Sequence, residues 1–204
     1  MTHLRPAGCN FAWNRLVEIG NMDARDDNSL MRAVAAGDRG ALRALYERHA
    51  GFVYRTAYRF LFDPEDARDI TQSVFVTVLE SAHRYEPCAR LTTWLYRIVA
   101  NRCLNHKSKA DRRLRGSAEE QDRLEQLPAP EAEQPDQRLE SDRRQARLRA
   151  ALLRLPRRQR LALVLQRFEG MRYEQIAQIL GCSKSSVESM LYRARQALKR
   201  DLSE

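Results

Sequence analysis

The sequence predicts an all-α protein of two small helical domains joined by a flexible acidic linker. Three observations carry that prediction. Apolar residues recur at helical spacing over most of the 204 residues. The stretch 114–139 instead holds Pro128, Pro130 and Pro135, many acids and few large apolar groups, too little burial to offset its ordering entropy. Charge also alternates along the chain: net −1 over residues 1–83, +7 over 84–115, −6 over 116–140 and +9 over 141–204. The expected organisation is an N-terminal extension (1–26), a helical bundle (27–113), the linker (114–139) and a C-terminal domain (140–204).

Residues 1–21 show no period, and Met22 is a plausible alternative start. From Ser29 the pattern is helical, with Leu30, Met31, Val34 and Ala35 on one face, ending at Gly37-Asp38. A longer helix follows with Leu42, Leu45, Tyr46, His49, Phe52, Val53, Ala57 and Phe60. Asp63-Pro64-Glu65-Asp66 opens the next: an N-cap oxygen, a proline in the first turn and acids near the positive end of the dipole. That helix carries Ala67, Ile70, Val74, Phe75, Val78, Leu79 and Ala82, and its length overrides the strand propensity of the β-branched run. After a break at Tyr85-Glu86-Pro87, a fourth helix presents Leu91, Trp94, Leu95, Ile98, Val99 and Leu104. Beyond the linker, periodicity returns at Leu139, Leu148, Leu152 and Leu155, is punctuated by Pro156, and resumes with Leu161, Val164, Leu165 and Phe168 up to Gly170.

The last thirty-odd residues read as two short helices around a sharp corner. Tyr173, Ile176, Ala177 and Leu180 share a face, and Val187, Met190, Leu191, Ala194 and Leu198 resume the stripe. Ala177 is small enough for a close crossing, Gly181 reaches positive φ without a Cβ penalty, and Ser183 can cap the second helix. This is a helix-turn-helix within a C-terminal four-helix domain, whose second helix lies in the major groove of DNA. Its groove-facing residues are expected to be Lys184, Ser185, Ser186, Glu188, Ser189, Tyr192 and Arg193.

A net charge of +9 and a pI near 9.8 point to a polyanionic partner. A second basic block over 84–113 interleaves cations with rings: Arg84, Tyr85, Arg90, Trp94, Tyr96, Arg97, Arg102, Lys107, Lys109, Arg112 and Arg113. Cations neutralise phosphates while exposed rings stack unpaired bases. Trp94 shares the apolar face of Leu91, Leu95 and Ile98, which favours a core role; Tyr85, in a loop, is the better stacking candidate. Cys9, Cys88, Cys103 and Cys182 are scattered and read as reduced thiols, with no disulfide framework and no metal set. No apolar run approaches the ~18–20 residues of a membrane span, and no signal-peptide pattern opens the chain, so a cytoplasmic protein is expected. No cofactor and no small-molecule substrate is expected. The acids Asp63, Glu65, Asp66 and Asp69 are dense enough to raise a magnesium-dependent enzyme as an alternative, but they fit a helix N-terminus and no catalytic His or Lys accompanies them.

Taken together these residues resemble the extracytoplasmic-function (ECF) group of the sigma-70 family, bacterial subunits that direct RNA polymerase to promoters. The resemblance runs from about Asn28 to Arg200. Ala36-Gly37-Asp38 through Leu45-Tyr46 is similar to the family's first helical hairpin, Asp66 to Phe75 to the helix that docks on the polymerase clamp, Thr93 to Asn101 to the promoter-melting helix, and Leu155-Pro156 to Arg160 to the approach to the helix-turn-helix. It implies that Asp69, Gln72, Ser73 and Phe75 face the β′ clamp of core polymerase. It implies that Arg84, Tyr85, Arg90, Thr93, Trp94, Arg97 and Asn101 capture and hold the melted −10 element, and that the helix-turn-helix residues meet the double-stranded −35 element. Implied partners are core RNA polymerase through its β′ clamp and β subunit, promoter DNA and an anti-sigma factor. Glu188 departs from the family, which is often basic there: it either accepts from a cytosine amino group or points away. The competing reading is a helix-turn-helix regulator that binds DNA without polymerase; such proteins usually dimerise on palindromes, and no heptad seam is present here.

Overall fold

The structure, a computed structural model, describes residues 23–86, 90–106 and 135–203. Among these there are eight α-helices and no strands: α1 (Asp23–Ala35), α2 (Arg39–Leu61), α3 (Pro64–Ser81), α4 (Leu91–Asn105), α5 (Pro135–Arg154), α6 (Arg157–Arg167), α7 (Tyr173–Leu180) and α8 (Lys184–Ser203), with a 3-10 turn at Ala82–Arg84. Local chemistry starts and stops them. Asp38 Oδ1 accepts from Gly40 N at 2.7 Å and Ala41 N at 3.2 Å to open α2. Asp63 Oδ1 accepts from Asp66 N at 2.9 Å to open α3. α5 begins at Pro135, inside the stretch expected to be linker, because a proline in the first turn gives up only an N–H the helix leaves unpaired anyway. The extension up to residue 22 and linker residues 114–134 lie outside the described residues.

α1–α4 form the N-terminal bundle. Its core holds Met31, Leu45, Val53, Phe60, Ile70, Val74, Val78, Leu95 and Val99, each at most a few per cent exposed. Asp27 of α1 is buried against α2, where its carboxylate meets His49 Nε2 at 3.1 Å and Arg48 Nη1 at 2.6 Å. α5–α8 form the C-terminal unit around Leu161, Leu165, Ile176, Leu180, Val187 and Leu191, with Leu152, Leu155 and Ala194 joining α5 to α8.

Two helical halves are present as expected, yet they do not stand apart as slack modules. One continuous buried apolar cluster runs from Met31 to Leu191. Glu169, in the α6–α7 loop, accepts from Arg59 Nη1 of α2 at 3.0 Å and from the Tyr96 hydroxyl of α4 at 2.7 Å. Burial, then the bond to Glu169, raises the Tyr96 phenol above its ordinary range. The Arg157 and Arg160 guanidiniums lie over the Phe60 ring, 5.4 and 4.6 Å from its centroid. Arg160 is 1% exposed, and burial followed by the charge of Arg157 lowers it to about 10. Arg157 donates to Cys103 O, and Arg149 to the carbonyl of Phe62. Phe62 ends α2 at φ 57, a left-handed conformation costing a non-glycine residue roughly 1–2 kcal/mol. The halves join because α2 and α4 each bury one face in the bundle and offer a second, around Phe60 and Tyr96, to α6 and α7.

Candidate nucleic-acid interface

The corner between α7 and α8 forms as its residue types dictate. Gly181 adopts φ 62, and Cys182 N closes the turn on Ala177 O at 3.0 Å. Ser183 Oγ accepts from Ser186 N at 3.2 Å, capping α8. Val187, Leu191 and Ala194 are buried, which fixes the opposite side of α8 outward. Lys184, Ser185, Ser186, Glu188, Ser189, Tyr192 and Arg193 are all exposed, Tyr192 at 64%. Lys184 Nζ binds Glu174 Oε1 of α7 at 2.7 Å and ties the two helices together.

Arg158 belongs with this face, and sequence reading passed over it. With Cys182, Ser185, Ser186, Ser189, Met190 and Arg193 it lines an open groove, and its Nη2 donates to Leu180 O at 2.8 Å. The available signal was its position: Arg157 and Arg158 occupy the first turn of α6, where the helix dipole disfavours cations.

The second face lies on α4. At about 100° per residue, Arg90, Trp94, Arg97 and Asn101 fall within an arc of about 60°. Arg84, Arg90, Arg97 and Asn101 are exposed, while Thr93 and Trp94 are half-buried. Tyr85 is less available than a loop residue was expected to be. Its hydroxyl donates to Asn28 Oδ1 at 2.9 Å, and its ring meets Trp94 edge-on at 5.3 Å, so the two rings form one braced aromatic surface. Arg102 instead braces α4 to α3 by donating to Thr77 Oγ1 at 2.7 Å. Lys107, Lys109, Arg112 and Arg113 lie outside the described residues.

On α3, Asp69 and Gln72 are exposed and Ser73 is half-buried, its hydroxyl donating to Ile70 O at 3.1 Å. Phe75 corrects the expectation. It is 6% exposed, and its ring packs against Tyr46 at 4.8 Å, so it belongs to the bundle and not to a docking face. Val76 and Leu79 stand out instead, at 53% and 50% exposure, and continue Gln72 down one helical stripe. The acids that raised a magnesium site diverge. Asp63 caps α3, and Asp66 faces His106 Nε2 at 3.1 Å. Among the described residues no three His, Cys, Asp or Glu side chains converge, and no helix is long and apolar enough to cross a membrane.

Two polar, cation-bearing faces on separate helical halves, one of them a helix-turn-helix recognition helix, define a bipartite nucleic-acid-binding protein. Comparison with known proteins narrows the class. Residues 45–113 match the model for sigma-70 region 2, and residues 145–198 that for sigma-70, region 4. The chain is 38% identical over 170 residues to the ECF RNA polymerase sigma factor SigE of Mycolicibacterium smegmatis, covering 81% of this chain and 64% of that protein. It is 31% identical to the RNA polymerase sigma-H factor of Pseudomonas aeruginosa, covering 86% and 93%. Among solved structures it is similar to CnrH in complex with the cytosolic domain of CnrY, at 25% identity and a TM-score of 0.60 over 87% of this chain and 97% of that one. The chain belongs to the sigma-70 family of RNA polymerase sigma factors, in its ECF group. Its partners are accordingly core RNA polymerase and promoter DNA, and the polymerase-independent regulator is set aside.

Proposed function

We propose that three exposed faces divide the work of promoter selection. The α8 face, with Arg158, reads the −35 element as intact duplex. The α4 face, with Arg84, Arg90, Thr93, Trp94, Arg97 and Asn101 around the Tyr85 ring, captures and holds the −10 element as it opens. The outer stripe of α3, Asp69, Gln72 and Ser73 together with Val76 and Leu79, docks on the β′ clamp, while the C-terminal half meets the β subunit. The chain makes and breaks no bond itself, and it works in the cytoplasm beside the polymerase. An anti-sigma partner belongs to this reading.

The observation that supports it best is that both cation-bearing faces stay exposed while the halves are packed together. Packing also sets a condition. Elements named −10 and −35 lie about 25 base pairs apart, on the order of 85 Å of duplex at about 3.4 Å per pair. A closed molecule of this length is roughly 45 Å across. The halves must therefore separate for both elements to be held at once, and the chain between residues 106 and 135 has a contour length of about 95 Å, enough for it.

Replacing Val76 and Leu79 together by aspartate tests the docking face. Both are exposed, so helicity and the binding of −35 duplex stay unchanged, while affinity for core polymerase falls at least about 30-fold and promoter-dependent transcripts disappear. Assembly and transcription at wild-type levels would overturn the assignment of that stripe. No initiation by the wild-type holoenzyme from any promoter library would overturn the division of work as a whole.

A further inference from the structure

The exposed side of α8 carries one acid among its groove-facing residues. Glu188 is exposed and forms no hydrogen bond or ion pair among the described residues. The cation one turn before it, Lys184, is held by Glu174 of α7 at 2.7 Å and feels Glu188 only through space. Ser185, Ser189 and Tyr192 neighbour Glu188 at helical spacing, and Ser185 and Ser189 also line the groove shared by Arg158 and Arg193. With no hydrogen-bond partner on the protein, the carboxylate depends on the base edge it faces to replace the water it loses on binding.

We propose that Glu188 imposes a requirement for cytosine at the base pair it faces in the −35 element, an inference that rests on α8 being the −35 reader. The chemistry of base edges selects the base. In the major groove guanine presents N7 and O6, both acceptors, and thymine presents O4 and a methyl group. Adenine sets its N6 donor beside the N7 acceptor, whereas cytosine presents the N4 amino donor. An ionised carboxylate only accepts. Opposite cytosine N4 it gains a charge-assisted hydrogen bond. Opposite guanine or thymine it is desolvated against another acceptor with nothing to replace its water. The hydroxyls of Ser185, Ser189 and Tyr192 both donate and accept, so they tolerate several bases, and Glu188 discriminates more sharply than these neighbours.

The test is a library randomised over the −35 element, upstream of a fixed −10 element, selected by holoenzyme carrying the full chain and read by sequencing the transcribed templates. Wild-type protein enriches cytosine at one −35 position, with other bases disfavoured there by roughly 5- to 150-fold. Glu188→Gln moves that position toward adenine, which an amide contacts at N6 and N7. Glu188→Ala flattens it and leaves the remaining −35 positions as they were. Glu188 is exposed, so neither variant disturbs the fold, and unchanged circular dichroism confirms it. A −35 motif that is the same in all three proteins, or that lacks cytosine in the wild type, overturns the role of Glu188 and leaves the −35 reading of α8 standing. A library in which the wild type enriches no −35 position at all overturns that reading, and this inference with it.

Discussion

Glu169→Ala strengthens binding to core polymerase while weakening the packing of the two halves. The carboxylate accepts from Arg59 and Tyr96 at once and is 9% exposed, so its loss removes both bonds across the junction. A fully buried ion pair loses about 3–5 kcal/mol when one partner is removed. Arg59 is 34% exposed, however, and water can take over much of its solvation, which brings the expected loss to about 1–3 kcal/mol. That shifts the balance between closed and open forms by roughly 5- to 150-fold. Affinity for a partner that binds only the open form scales with the open fraction, so the apparent Kd for core polymerase falls by up to the same factor. Glu169→Gln keeps an acceptor for Tyr96 without the charge and falls between the two. Titration of labelled polymerase reads the effect directly. Unchanged or weaker binding in Glu169→Ala would mean that the closed form already suits the polymerase.

Phe60→Ala carries the largest expected loss of stability. The ring is fully buried in α2, and truncating such a side chain costs about 3–5 kcal/mol in transfer and cavity terms. Here it also removes the surface against which the Arg157 and Arg160 cations lie, leaving Arg160, 1% exposed, over a void. Urea denaturation should show the midpoint falling by more than for the equally large truncation Phe75→Ala, whose ring packs on Tyr46 within the N-terminal bundle. Phe60→Leu, which refills most of the volume without an aromatic face, recovers part of the loss. Equal shifts for Phe60→Ala and Phe75→Ala would contradict a role for Phe60 in joining the halves.

Much of this was legible in the sequence where the cause is local. Asp63 caps α3, Gly181 takes the left-handed turn and Ser183 caps α8 because each acts on a backbone group within a few residues. Val187 and Leu191 were readable as core because α8 has a single apolar stripe, which also fixed the outward side of the helix. α3 was harder. Its run from Val74 to Leu79 supplies two apolar stripes, and spacing alone does not say which one meets α2; packing put Phe75 and Val78 inside and left Val76 and Leu79 out. Pro135 was counted with the linker although a proline in the first turn starts a helix well. The junction was beyond reach. Arg59 and Glu169 are 110 residues apart in sequence, and the burial of a cation such as Arg160 has no local pattern.

If the closed molecule opens to hold two promoter elements together, the change shows in the distance between spin or fluorescent labels at Arg32 in α1 and Lys199 in α8, both exposed, in the free protein and in the promoter complex with core polymerase. One short distance of no more than about 45 Å is predicted for the free chain, lengthening toward the order of 85 Å on the promoter. The same short distance in an actively initiating complex would mean that the halves stay packed together on the promoter.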